Sequence, residues 1–169
     1  DEVVVVSNAA LLGPVGPLRS ADPADVERHL DVNVTAPALL LRTFAARFQE
    51  HDCPKTFVNI SSGAASKGYA GWSLYCASKA AAENLVRAVA LEQQAQAHPI
   101  RAFSVNPGVM DTDMQALVRS ADIKDFPDLE RFLRLKSEGL LAAPERVAQA
   151  VADLVASRPE PGRAYAIGQ

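Results

Sequence analysis

Cysteine is scarce: Cys53 and Cys76 are the two in 169 residues. Two thiols make neither a disulfide framework nor a four-ligand zinc set, and they point to a reducing, cytoplasmic setting. His51-Asp52-Cys53 has no second ligand pair at a suitable spacing, so no metal is expected. Basic excess is lacking too. Lys and Arg total 17 against 20 Asp and Glu, a formal net charge of -3. Such a chain has no surplus positive charge to neutralise a phosphate backbone, and nucleic acid is excluded as a partner. No apolar run approaches the ~20 residues of a membrane span. The opening Asp1-Glu2-Val3-Val4-Val5-Val6 lacks the basic region of a signal peptide, and no membrane partner is expected. Repeats, low-complexity segments and Gly/Ser linkers are missing as well, so residues 1–169 read as a single domain.

What is present is ordinary globular material. Hydrophobic residues make up 49% and charged residues 22%, which excludes general disorder. Val3–Ser7 is a strand whose unbroken β-branched run, Val3–Val6, suits burial on both faces of a parallel sheet. After a Gly/Pro loop, Ser20 or Asp22 can cap a helix running to about Val32, with Pro23 in its first turn. Pro37 predicts a kink or restart near Asn33, before a helical stretch over Leu39–Phe48. Thr56–Ser61 is a second strand, Ser73–Gln96 a long helix and Ile100–Val105 a third strand. Short helices are expected near Asp113–Ser120 and Asp128–Glu138. A longer one runs from Pro144 to about Ala156, and Arg163–Ile167 is a last strand. This alternation predicts an α/β fold, a Rossmann-like doubly wound parallel sheet with right-handed crossovers. In such sheets ligands bind beyond the carboxyl ends of the strands. Ser7-Asn8, Ser61-Ser62 and Asn106-Pro107-Gly108 fall at those ends.

Tyr75 and Lys79 are spaced i,i+4 on the long predicted helix and therefore share a face. A nearby ammonium stabilises a phenolate, lowers its pKa and makes tyrosine usable as an acid/base near neutral pH. Ser62, at the end of a strand, can donate a hydrogen bond to an oxygen on which charge develops. Taken singly these residues are unremarkable: Tyr-x-x-x-Lys is more often a solvated face, Ser62 a loop hydroxyl, Asn33 a helix-end residue. Their combination on one rim is what points to a site.

Asn59-Ile60-Ser61-Ser62 followed by Tyr75-Cys76-Ala77-Ser78-Lys79 resembles the Ser…Tyr-x-x-x-Lys signature of the short-chain dehydrogenases/reductases, with the family's usual thirteen-residue separation of Ser62 from Tyr75. Asp31-Val32-Asn33-Val34-Thr35 resembles the segment carrying the family's fourth catalytic residue. Asn106-Pro107-Gly108-Val109 with Asp111-Thr112-Asp113-Met114 resembles its Pro-Gly segment and cofactor-contacting threonine. The resemblance implies NAD(P)H-dependent reduction of a small-molecule ketone or diketone, or oxidation of the alcohol. Its catalytic residues would be Asn33, Ser62, Tyr75 and Lys79. Asn8, Ala9, Ala10, Pro107, Gly108, Val109 and Thr112 would join Tyr75 and Lys79 around the cofactor. Lys67 to Ala77 and Asp111 to Gln115 are similar to sepiapterin reductases and microbial relatives that reduce diketones such as benzil. By that likeness NADP is the expected cofactor, with NAD the alternative. The family further implies a homodimer or homotetramer built on Leu39–Phe48 and Leu85–Ala90, and a substrate lid at Val118–Leu141.

The sequence departs from the pattern in three places. Ala10 replaces the Gly of the family's Asn-Asn-Ala-Gly, adding a methyl group beside the cofactor. Ala166 falls where sepiapterin reductases carry an Asp that grips the pterin. The glycine-rich phosphate loop and the residue that discriminates NAD from NADP do not occur in residues 1–169. Val3–Ser7 thus corresponds to the fourth strand of the family fold. These residues are expected to be part of a longer protein, to be inactive by themselves, and to leave the apolar edge of Val3–Val6 unpaired. A non-catalytic, cofactor-binding or regulatory relative is the alternative reading. A serine hydrolase is disfavoured, because Ser62 has no Gly-x-Ser-x-Gly elbow, and His29, His51 and His98 lie outside the rim segments.

Overall fold

The computed structural model describes residues 2–167. Four parallel strands, β1 (Val3–Ser7), β2 (Lys55–Ile60), β3 (Arg101–Asn106) and β4 (Ala164–Ala166), lie side by side in chain order. Ser7 pairs with Asn59 and Ile60 with Val105, so the carboxyl ends of three strands reach the same rim. This is the α/β, Rossmann-like sheet expected from the alternation of elements. β4 is shorter than its apolar pattern. Arg163 and Ile167 nevertheless continue the bonding to β3, accepting from Ser104 N–H at 2.9 Å and donating to Asn106 O at 3.0 Å.

Helices α2 (Ala36–Phe48) and α3 (Ser73–Gln93) cover one face of the sheet. There Leu41, Phe44 and Val86 pack on Phe57, Ile100 and Ala102, with Val3 and Val5 at the margin. Helix α6 (Pro144–Ala156) covers the other face through Val151, Leu154 and Val155, over Val58, Phe103 and Val105. It does not reach β1. Val4 and Val6 on that face are 41% and 47% exposed, so β1 is buried on one face, not on two as its continuous valine run predicts. A parallel strand is doubly buried only where crossovers lie on both sides, and here the β1-to-β2 crossover supplies one side.

The break expected at Asn33 is a widened turn. Helix α1 (Pro23–Leu30), capped by Asp22 Oδ1 accepting from Ala24 N–H at 2.8 Å, runs into a π-helical turn at Asp31–Thr35 and on into α2. Ala36 N–H donates to Asp31 O, five residues back, and Pro37 has no N–H to return to the turn. The long helix ends at Gln93, three residues before its pattern fades. The Gln93 side chain accepts from Ile100 N–H at 2.8 Å and donates to Gln49 at 2.9 Å, tying the end of α3 to α2 and the start of β3.

Above the rim lie α4 (Asp113–Arg119) and α5 (Leu129–Ser137). The segment between them, at Asp125, closes on the loop before α3 at Gly71, whose φ of +84° is open to glycine at little cost. Its carbonyl accepts from Gly16 N–H at 2.9 Å, and a Cβ there would lie 2.2 Å from the Asp125 carbonyl oxygen. Three loops thus converge on one residue just before α3. Gly71→Ala is expected to destabilise the fold by about 2 kcal/mol or more through backbone strain and collision, read as a lowered urea midpoint with unchanged m value. An unshifted midpoint would show that the loops do not close on each other there.

Candidate active site

The strand ends and α3 enclose one crevice with a cavity of about 1490 Å³. Ser62, Tyr75 and Lys79 line it, as do Asn8, Ala9, Ala10, Pro107, Gly108, Val109 and Thr112. Ten of the eleven residues expected at a site are therefore in one place. Asn33, the eleventh, lies behind it. Ser62 lies two residues beyond the end of β2 and accepts from Ala64 N–H at 3.2 Å, capping the short turn Gly63–Ala65. Gly108 has φ +77°, and its N–H donates to Asn106 Oδ1 at 3.1 Å, which turns the chain sharply away from β3. Ala10 is not among the residues with positive φ. Its methyl group, where the family has glycine, is carried without backbone strain.

Tyr75 and Lys79 are both buried. Burial pushes the Tyr75 phenol above its ordinary range. The Ser62 side chain acts the other way, and the Cys76 thiol adds to the rise; the Tyr75 hydroxyl itself donates to Met114 Sδ at 4.0 Å. The lowering expected from Lys79 thus gives way to desolvation. Lys79, 6% exposed, donates from Nζ to Ile60 O at 2.8 Å, and Nζ lies 5.7 Å from the centre of the Tyr75 ring. Burial lowers its pKa to about 8, against the upward pull of Glu83. The amine is therefore poised to change charge close to neutral pH.

Asn33, 3% exposed, grips the backbone of the loop after β1. Its Oδ1 accepts from Leu11 N–H and its Nδ2 donates to Leu11 O, each at 2.7 Å. Nδ2 also reaches Ser78 Oγ at 3.2 Å and His29 Nε2 at 3.0 Å. His29 is fully buried, with Nδ1 2.6 Å from Gly13 O and Nε2 3.0 Å from Ser78 Oγ. A carbonyl can only accept, so Nδ1 carries the hydrogen and Nε2 is the acceptor. Ser78 Oγ in turn donates to Tyr75 O at 3.0 Å. The loop, the π-helical turn and the helix of Tyr75 are thus joined by side chains. Sequence reasoning leaves His29 outside the rim and misses this role. Its i,i+4 spacing to Asn33 is the available signal.

Part of the crevice wall is aromatic. Trp72 stacks on Phe126 at 4.5 Å, meets Phe132 at 5.2 Å and meets Tyr75 edge-on at 5.8 Å. Leu12, Ala64, Val118 and Leu129 belong to the same cluster. Val118, Phe132, Leu135 and Leu140 also line the crevice, in the segment expected to be a lid.

A family profile described as short chain dehydrogenase matches residues 3–123. The chain belongs to that family. Among curated short-chain dehydrogenase relatives, the benzil reductase ((S)-benzoin forming) of Bacillus subtilis (strain 168) is 40% identical over 165 residues, covering 98% of this chain and 68% of its own length. The sepiapterin reductase of Meriones unguiculatus is 38% identical over 145 residues, covering 83% of this chain and 53% of that protein. Among solved structures, the KRED1-Pglu enzyme is 36% identical with a TM-score of 0.84, covering 96% of this chain and 67% of its own. A short-chain dehydrogenase from Escherichia coli CFT073 complexed with NADPH is 27% identical with a TM-score of 0.76, covering 98% and 62%.

The short-chain dehydrogenase cofactor is a nicotinamide dinucleotide, and the residues present fit one end of it. Small Ala9 and Ala10, the sharp turn at Gly108 and the Tyr75–Lys79 pair share the crevice, as a flat ring and its ribose require. No glycine-rich phosphate loop occurs in residues 1–169, so these residues offer no grip for the pyrophosphate.

Lys79 also leaves a stability signature. Its folded-state pKa lies below the unfolded 10.5, so between about pH 8 and 10.5 the unfolded chain binds the extra proton and stability rises with pH. Lys79→Met should remove that rise. Relative to wild type, the variant should lose roughly 2 kcal/mol between pH 7 and pH 10, measured by urea unfolding at both. Parallel pH dependences in the two proteins would contradict the shift.

Proposed function

We propose that the protein reduces a small-molecule ketone or diketone with NADPH, or oxidises the corresponding alcohol, at a site made by Ser62, Tyr75, Lys79 and Asn33. The carrying observation is the burial of Tyr75 and Lys79 with Ser62 in one crevice, between small strand-end residues on one side and an aromatic wall on the other. NADPH is preferred to NADH on the likeness to the Escherichia coli relative held with NADPH. A substrate with aromatic groups beside its carbonyl suits Trp72, Phe132 and Met114. It also agrees with the likeness to benzil reductase. Pterin is less well supported, because Ala166 has no carboxylate to offer. The proposed assembly is a homodimer through the outer faces of α2 and α3, where Leu39, Leu40 and Leu91 are exposed. The proposed location is the cytoplasm.

When bound, the nicotinamide supplies the hydride. The Tyr75 hydroxyl gives its proton to the carbonyl oxygen as negative charge develops there. The Ser62 hydroxyl donates a hydrogen bond to the same oxygen and fixes its orientation. In the charged form, Lys79 lowers the cost of the phenolate left on Tyr75, and it would hold the ribose of a bound nicotinamide cofactor. Asn33 has spent its amide on Leu11, so what it offers a proton-carrying water is its main-chain carbonyl in the widened turn.

Tyr75→Phe in the full-length protein should lower kcat by about 10²- to 10⁴-fold, with the thermal midpoint held. The assay is NADPH oxidation against benzil and related aryl ketones. Wild-type turnover in the variant would remove Tyr75 as the proton donor.

A further inference from the structure

Lys79 and Glu83 are one helical turn apart on α3 and share a face. Their side chains engage consecutive residues at the end of β2. Lys79 Nζ donates to Ile60 O at 2.8 Å, and Ser61 Oγ donates to Glu83 Oε1 at 2.6 Å. Ser61 is itself fixed, since its N–H donates to Val105 O at 2.7 Å on β3. The next residue is Ser62. One bond between a helix and a strand is a pivot, whereas two bonds a turn apart stop both rotation and sliding. We propose that Glu83, seated on Ser61, is a positioning residue for the site: it locks α3 to the end of β2 and holds a carboxylate one turn beyond the Lys79 amine. The inference rests on the reductase reading above for its consequence in catalysis, and on the geometry alone for the lock.

The plainer reading is an ordinary i,i+4 Lys–Glu pair on a solvated face, which contributes little. Ser61 and Lys79 are both buried, and the Ser61 bond is a short, charge-assisted one. The charge has a target as well. Glu83 raises the Lys79 pKa against the effect of burial. Tyr75 and Cys76 share the helix with Lys79, and His29 faces the same helix from α1 through Ser78. The sheet contributes Lys55 and Arg101, which lie at its opposite end. Glu83 is thus the carboxylate whose field bears on the amine. Without it, Lys79 would shed its proton at lower pH and spend less time in the form that supports Tyr75.

The test is made on the full-length protein labelled with ¹³Cε-lysine, with the Lys79 signal assigned by its loss in Lys79→Arg. Wild type should titrate at about 8. Glu83→Gln should titrate at lower pH than wild type, and Glu83→Asp should recover part of the difference. In kinetics, the alkaline limb of kcat/KM should move to lower pH in Glu83→Gln. Ser61→Ala, which keeps the charge and frees the carboxylate, should lower kcat several-fold with little change in substrate KM. Equal Lys79 midpoints in wild type and Glu83→Gln would overturn the electrostatic part, and an unchanged kcat in Ser61→Ala would overturn the lock. Should Glu83→Gln not fold, Glu83→Asp and Ser61→Ala carry both arms. A wild-type protein that turns over no carbonyl would defeat the reductase reading, while the titration would still decide the role of Glu83.

Discussion

Lys79 carries an amine into a place where water barely reaches it, and much of the surrounding architecture answers that demand. A buried ammonium needs acceptors fixed in advance, because the protein must replace the hydration it has lost. Ile60 O provides one, and it is available because β2 ends there and the chain turns away at Ser61-Ser62. The helix must also come close to the strand. Ala80, Ala81 and Ala82 come directly after Lys79, and Ser78 and Ala82 are buried against neighbouring elements. Larger residues at Ser78 or Ala82 would hold α3 away from the sheet and leave the amine out of reach of its carbonyl.

The same helix is held on another side by neutral groups. Asn33, His29 and Ser78 join the loop after β1 to the backbone at Tyr75 without bringing a formal charge near the phenol. That division of labour has a physical logic. A carboxylate beside Tyr75 would push its already raised pKa further up. Amide, hydroxyl and imidazole groups give comparable directional control at no such cost. The charged acceptor, Glu83, is placed a turn beyond Lys79, where its field favours the ammonium.

The strand ends and the Tyr75–Lys79 spacing are legible in the sequence because both depend on local periodicity. Polar residues after apolar runs mark strand ends, and i,i+4 marks a common helix face. Features that depend on partners distant in the chain are not legible in this way. Gly13 and Ser78 give His29 its role, and neither is near it in sequence. The valines of β1 predict double burial, yet only Val3 and Val5 meet a helix layer, since burial belongs to the neighbours and not to the strand. Pro37 correctly signals a disturbed helix, but sequence alone does not separate a kink from a turn widened by one residue. The phenol's pKa is misread from sequence for a similar reason: desolvation is set by the whole cluster of Trp72, Phe126 and Phe132, while a charge neighbour can be read from spacing.

The widened turn at Asp31–Thr35 acts as a change of phase. An α-helix advances about 100° per residue, so one additional residue in a turn rotates the upstream helix by that amount relative to the downstream one. Upstream and within the turn, His29 and Asn33 must face the loop at Leu11–Gly13; downstream, Leu41 and Phe44 must face the sheet. A single uninterrupted period would not serve both surfaces at once. The number of residues in this segment is therefore constrained more tightly than their identities. Substitutions that keep the two faces can accumulate, whereas losing one residue would set the loop and the sheet in competition for the same helix.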